Sequence, residues 1–312
     1  MATTSPAWTA TDIPDQAGRR AVITGANSGL GYETALELSR HSASVTLAVR
    51  DTAKGDTAAA DIRARIPGAD VEVRPLDLAD LSSVASFAEA WRAEHPEGLD
   101  LLINNAGVMA TPYRRTADGF ELQFGTNHLG HFALTGHLLD ALRPDARVVT
   151  VSSQAHRMGR MNFDDLMGER KYRTWGAYGQ SKLANLLFMR ELARRLQRAG
   201  SPVLSVGAHP GYSRTNLQAV GPQMRGQSWQ VRAMDIVGGI MAQSAQMGAL
   251  PTLYAATAPH IRNGDYAGPD GFGEQRGHPR LVGMTSAARD PYDAVRLWTV
   301  SEELTGVYYL DD

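Results

Sequence analysis

From Arg19 onward the chain alternates short apolar, β-branched runs with longer segments of helical period. The runs are Ala21–Thr24, Val45–Val49, Val71–Leu76, Leu99–Asn104, Val148–Ser152 and Val203–Ala208. Several are apolar on both faces, which suits central strands of a parallel sheet covered by helices on each side. Between them, Tyr32–His41, Leu81–Glu94, Phe120–Leu142 and Ser181–Arg198 carry apolar residues at helical spacing. Strand and helix in turn predict an α/β chain built on a doubly wound parallel sheet. Met1–Gln16 has no apolar run and reads as a solvated lead-in, leaving 17–312 as a single domain. Within it, 218–246 is rich in Gly, Gln and Met with weak periodicity, an excursion from the sheet and a candidate substrate lid.

Composition narrows this picture by exclusion. With 312 residues, 43% of them hydrophobic, the chain can bury one large core without staples. It has no cysteine, so disulfides, thiolate metal sites and cysteine nucleophiles are excluded together. A net charge of −2 gives no general reason to bind nucleic acid or an anionic membrane. No stretch reaches the roughly 18 apolar residues of a membrane span, so a soluble, cytoplasmic protein without a membrane anchor is expected. Three lysines, Lys54, Lys171 and Lys182, stand against 28 arginines.

The first strand runs into Thr24-Gly25-Ala26-Asn27-Ser28-Gly29-Leu30-Gly31, and a helix-period segment follows. Glycines there let backbone N–H groups at a helix N-terminus approach a phosphate, as in a Rossmann-type dinucleotide fold. The spacing G-x-x-x-G-x-G resembles the signature of the short-chain dehydrogenase/reductase family. The resemblance continues at Asn104-Asn105-Ala106-Gly107, at Asn127, at Ser152-Ser153, at Tyr178-x-x-x-Lys182 and at Pro210-Gly211, in family order. It implies that Gly25, Asn27, Ser28, Gly29, Leu30, Gly31, Asn105, Ala106 and Gly107 bind a nicotinamide dinucleotide. By the same resemblance Asp77 and Leu78 contact its adenine, and Pro210, Gly211 and Thr215 lie beside its nicotinamide.

The cofactor's identity turns on the end of the second strand. NAD is usually chosen by an acidic residue there, bonded to the ribose 2′-hydroxyl. Here Val49 is followed by Arg50, whose guanidinium suits a 2′-phosphate, so NADP(H) is preferred. Asp51 keeps NAD(H) open, since a shift of one residue would bring its carboxylate to the ribose.

Tyr178 and Lys182 stand four apart in a helical segment, on one face. A neighbouring ammonium favours the phenolate, so Lys182 is expected to lower the tyrosine pKa toward the working range. In the resembled family this pair is the general acid/base and its tuner, and the lysine also bonds the nicotinamide ribose. Ser153 then holds the substrate oxygen, with Ser152 as the fallback. Asn127 resembles a family asparagine whose distorted helix holds a water beside the lysine. His128 and His131 lack H-E-x-x-H spacing and read as packing or surface residues, with no metal expected. No serine sits in G-x-S-x-G, which removes the hydrolase reading.

The 24 residues between Ser153 and Tyr178, with Asn162-Phe163-Asp164-Asp165, resemble the retinol dehydrogenase and protochlorophyllide reductase branch. Gly264–Gly271 and Leu297–Gly306 continue that resemblance, which implies a lipophilic carbonyl or alcohol substrate. The chlorophyll enzymes rely on cysteines that this chain lacks. Leu217, Met224, Trp229 and Ile236 of the lid region are expected to form an apolar pocket. A catalytically silent nucleotide-binding sensor or scaffold is the alternative, and a homo-oligomer is left open.

Overall fold

The computed structural model describes residues 7–212 and 243–311. Seven parallel strands and one antiparallel edge strand form a single sheet in the order β3-β2-β1-β4-β5-β6-β7-β8. The strands are β1 (Arg20–Thr24), β2 (Ser44–Val49), β3 (Val71–Pro75), β4 (Leu99–Asn104), β5 (Leu142–Val151), β6 (Leu204–Ala208), β7 (Tyr266–Pro269) and β8 (Pro279–Leu281). In β1, side chains alternate between faces. Ala21 and Ile23 join a core with helices α1 (Gly29–Arg40) and α2 (Thr52–Arg65). Val22 points the other way, into a core with α3 (Leu81–Glu94). The strand order reverses between β1 and β4, and a doubly wound sheet opens a crevice for ligands at the carboxyl ends of strands there.

The six apolar runs are the first six strands, with ends shifted by a few residues. Phe120–Leu142 divides into α4 (Leu122–Phe124), a π-helical turn at Gly125–Leu129, α5 (Gly130–Leu138) and a 3-10 turn, before its last residue opens β5. The helix predicted at Ser181 starts two turns earlier, as α6 (Thr174–Arg198). Gly176 and Gly179 weaken the local helical signal, but Gly179 is held by packing: a Cβ on Gly159 would lie 2.3 Å from its carbonyl oxygen. α2 escapes the apolar pattern because its buried stripe is only Gly55, Ala58, Ala59 and Ile62. β7 and β8 are short and carry Gly268, Pro269 and Pro279, so the sequence alone marks neither as a strand.

The sheet continues past β6 through α7 (Ala245–Thr257), and α8 (Pro291–Thr305) lies against α6. The described part of the lead-in is not simply solvated, correcting the expectation. Ile13 and Gln16 are buried, and the Trp8 ring meets Tyr254 edge-on at 5.3 Å. Burial of these apolar rings on α7 outweighs the polar composition around them. Of the candidate lid, Gln243 and Ser244 lead into α7, while 218–242 lies outside the described residues, as do Leu217 and Thr215.

Candidate active site

The glycine loop joins β1 to α1 with Gly25 at φ +66° and Gly29 at φ +57°, backbone positions that favour glycine. Gly31 is required for a different reason. A Cβ there would lie 2.6 Å from both the Gly25 carbonyl oxygen and Asn105 Nδ2. The loop is tied to the end of β4 by Thr24: its Oγ1 accepts from the Asn105 and Ala106 amides at 3.0 and 2.9 Å, and its carbonyl accepts from Asn105 Nδ2 at 2.8 Å.

These segments line a cavity of about 700 Å³. Gly25, Asn27, Ser28, Gly29, Leu30 and Gly31 form one wall, and Asn105, Ala106 and Gly107 another. Arg50, Asp77 and Leu78 line it as well. Asp77 accepts the Ala79 amide through Oδ1 at 2.9 Å. The cradle fits a dinucleotide: it is closed by glycines at the start of a helix, where amides and the helix dipole favour phosphate.

Asp51 is committed locally. It caps α2 by accepting the Lys54 amide at 3.1 Å and pairs with Lys54 Nζ at 2.9 Å. Those bonds hold its carboxyl below the usual carboxylate range. Arg50 is exposed at the cavity edge and makes no ion pair among the described residues. Sequence reasoning passed over Lys54, which also lines the cavity; the shortage of lysines that singled out Lys182 was an available signal.

Beside Gly107 the catalytic candidates converge. Tyr178 and Lys182 project from the buried face of α6, each almost fully buried. Ser153 caps the 3-10 helix Gln154–Met158, accepting the Ala155 amide at 3.2 Å, and its hydroxyl is close enough to Tyr178 to favour the phenolate. Ser152 faces away: its hydroxyl donates to the Lys182 carbonyl at 2.8 Å. Of the two serines, only Ser153 is placed beside the tyrosine.

Lys182 Nζ donates to the Val151 carbonyl at 3.1 Å and lies 6.0 Å from the Tyr178 ring centre. Burial pushes Lys182 down to about 8 and Tyr178 up to about 12, the Ser153 hydroxyl opposing the latter. This corrects the expected lowering of the tyrosine. Both groups are almost fully buried, and desolvation penalises the charged form of each, so burial sets the direction of both shifts.

Asn127 lies in the π-helical turn, so the expected distortion is present. Its Oδ1 accepts the Val108 amide at 2.7 Å, while Nδ2 donates to the Val108 carbonyl and to Ser181 Oγ, each at 2.9 Å. The side chain thus pins the segment after Gly107 to α6 between Tyr178 and Lys182. A Cβ on Gly107 would approach Asn127 Oδ1 to 3.0 Å and Lys182 Nζ to 3.6 Å. Pro210 and Gly211 follow β6 and are not among the residues lining the cavity.

His131, read from sequence as packing or surface, is a buried connector. Its Nδ1 meets the Asn127 carbonyl at 3.0 Å and must donate, so Nε2 accepts from Thr24 Oγ1 at 2.9 Å. His128 is buried too, with Nε2 on Ser301 Oγ at 2.8 Å. Among the described residues no group of acidic or histidine side chains could hold a metal ion.

The sequence model for the short chain dehydrogenase family matches residues 19–225. Retinol dehydrogenase 12 of Mus musculus is 44% identical over 94% of this chain and 88% of its own. The chain belongs to the short-chain dehydrogenase family. Its relatives place it in the retinol dehydrogenase branch, and Homo sapiens retinol dehydrogenase 13 is 42% identical over 93% of this chain and 85% of its own. A crystal structure of an uncharacterised Mycobacterium paratuberculosis protein is 49% identical, with a TM-score of 0.81 over 97% of this chain and 99% of that one. A Beutenbergia cavernae structure, titled an NAD(P)-dependent gluconate 5-dehydrogenase with NADP bound at low occupancy, is 27% identical with a TM-score of 0.60. It covers 80% of this chain and 94% of its own. As a member of this family the protein is an oxidoreductase acting on alcohol or carbonyl groups, and the family implies a nicotinamide dinucleotide cofactor. Among the described residues no helix is long and apolar enough to cross a membrane.

Proposed function

We propose that this oxidoreductase uses NADP(H) to interconvert a lipophilic carbonyl and its alcohol, with Tyr178 as general acid and base. The observation that carries the reading is the meeting of Tyr178, Ser153 and Lys182 beside Gly107 and Asn127, next to the glycine-walled cavity. The glycine loop amides hold the pyrophosphate, and Asp77 and Leu78 lie against the adenine. Arg50 and Lys54 take the 2′-phosphate, while Asn105, Ala106, Gly107, Lys182, Pro210, Gly211 and Thr215 serve the nicotinamide half. When bound, the nicotinamide supplies or accepts the hydride.

Preference for NADP(H) rests on Arg50 being uncommitted while Asp51 is spent on the α2 cap and Lys54. With its pKa near 12, Tyr178 carries its proton at neutral pH, the form that donates to a carbonyl oxygen as negative charge develops. Ser153 shares that oxygen and stabilises the charge. Asn127 keeps the Gly107–Val108 segment in register with α6, so the acid and the cofactor side stay aligned. A lipophilic substrate fits the exposed apolar side chains of this region: Trp175 is about half exposed with its ring 6.2 Å from that of Tyr178, and the exposed thioether of Met158 ends the Ser153 helix. The names of the relatives point the same way.

Fluorescence titration with NADPH and NADH, followed by turnover of all-trans-retinal and shorter aldehydes, tests the reading. Tyr178→Phe is expected to bind NADPH normally and lose at least about 100-fold in kcat. Arg50→Ser is expected to weaken NADPH binding and leave NADH binding unchanged. Near-normal turnover by Tyr178→Phe sinks the mechanism, and nucleotide binding without turnover by the wild type restores the sensor or scaffold reading.

A further inference from the structure

Between β7 and β8 the chain makes a tight excursion, Asp270–Gly277, that touches both sides of the candidate site. At its tip Glu274 adopts φ +57°, a left-handed conformation that costs a non-glycine residue strain. Strain of this kind persists where surrounding contacts hold it. Here the carboxylate makes such contacts, beside the hydrogen bonds of the Glu274 amide to the Gly271 carbonyl and of Gln154 Nε2 to the Gly273 carbonyl.

On one side Glu274 meets Arg157 Nη2, 3.0 Å from both of its oxygens. Arg157 belongs to the 3-10 helix whose N-cap is Ser153. On the other side Glu274 Oε2 lies 3.1 Å from His209 Nε2. His209 is fully buried, directly before Pro210-Gly211, with its ring packed on Tyr266 at 5.3 Å between centres. The Gly211 amide donates to His209 Nδ1 at 3.2 Å, so Nδ1 carries no proton and Nε2–H donates to the carboxylate. His209 and Arg157 together hold the Glu274 carboxyl well below its usual range, at about 2. The same excursion ties in the chain beyond: the Tyr212 amide donates to the Gln275 carbonyl at 2.7 Å, and the Gly277 amide to Gln243 Oε1 at 3.1 Å.

We propose that Glu274 is a positioning residue whose carboxylate, through Arg157 and His209, holds the Ser153 helix and the Pro210–Gly211 segment at a fixed separation. Its effect is to keep the substrate-oxygen side of the site in register with the nicotinamide side. This rests on the dehydrogenase reading above. Among the described residues no other carboxylate pairs with Arg157 or His209.

Glu274→Gly and Glu274→Ala separate the carboxylate from the backbone strain. Both remove the carboxylate, but only glycine accepts φ +57° without strain. Glycine is therefore expected to melt at a higher temperature than alanine, while both variants lose about 10-fold or more in kcat for all-trans-retinal with NADPH, as misplacement by a fraction of an ångström does. NADPH dissociation constants are expected to stay within about 3-fold of wild type, because the pyrophosphate cradle is elsewhere. Glu274→Gln, with one acceptor oxygen and no charge, is expected to fall between alanine and wild type. The proposal is overturned if the folded glycine or alanine variant keeps kcat within about 2-fold of wild type, or if kcat follows melting temperature across the pair. Wild-type protein that binds NADPH and reduces no carbonyl overturns the dehydrogenase reading and this proposal with it; active variants of an active wild type overturn the positioning role alone.

Discussion

Acid stability offers a direct test of the buried machinery around Asn127. His128 and His131 are both about 1% exposed, and burial pushes them down to about 3 and about 4. Geometry explains the resistance to protonation. Ser301 Oγ donates to the Leu297 carbonyl at 2.7 Å, so His128 Nε2 is the donor between them and its Nδ1, the atom to be protonated, is buried without a partner. His131 would have to protonate Nε2, which already accepts from Thr24. In the unfolded chain both titrate near pH 6.5. Between that pH and the folded values the unfolded chain binds more protons, so stability falls as pH falls. By pH 4.5 each site costs about 3 kcal/mol and the pair about 5 kcal/mol. Urea unfolding at pH 7.5 and 4.5, followed by tryptophan fluorescence, reads this loss. In His128→Gln the amide can still donate to Ser301 but cannot titrate, so its loss between the two pH values is expected to be about 3 kcal/mol smaller than that of the wild type. Carboxylates contribute alike to both proteins and cancel. Equal losses in variant and wild type would refute the argument, as would a wild type whose stability does not change.

Two further substitutions probe the fold. Gly31→Ala would drive a methyl against the Gly25 carbonyl and Asn105 Nδ2, both 2.6 Å away, so isothermal titration is expected to show NADPH binding lost with the protein still folded. Retained affinity would mean that the cradle yields. Trp298 is buried among Phe132, Phe188 and Tyr309, with the Arg195 guanidinium 4.6 Å above its ring. Its replacement by alanine is expected to cost about 3–5 kcal/mol in urea unfolding at neutral pH, and a loss under about 1 kcal/mol would show that α8 is not stabilised through this ring.

The strands were legible because a parallel sheet covered on both faces demands apolar residues at nearly every position, and β4 is buried from Leu99 to Asn104. α2 was not, since helices packed through glycine and alanine leave little apolar signal, and β7 and β8 exist through pairing at the far edge of the sheet. The same division runs through the site. Spacing alone puts Tyr178 and Lys182 on one helical face, and glycine loop chemistry marks the candidate phosphate cradle. Which serine meets Tyr178, and that Asp51 is consumed by its own helix, are decided by side-chain direction.

Taken by itself, the sequence determined the first six strands, the helices that carry an apolar stripe, the glycine loop and the residue types available for proton transfer. These follow from local periodicity, turn geometry and the chemistry of neighbouring side chains. Tertiary structure decided the acidity of those groups and their distant partners. Burial, not the adjacent lysine, governs Tyr178, because desolvation depends on what α6 packs against. His131 reaches Thr24 across 107 positions and Glu274 reaches Arg157 across 117. Contacts of that span are set only when the sheet closes around them, so no local pattern in the chain could announce them.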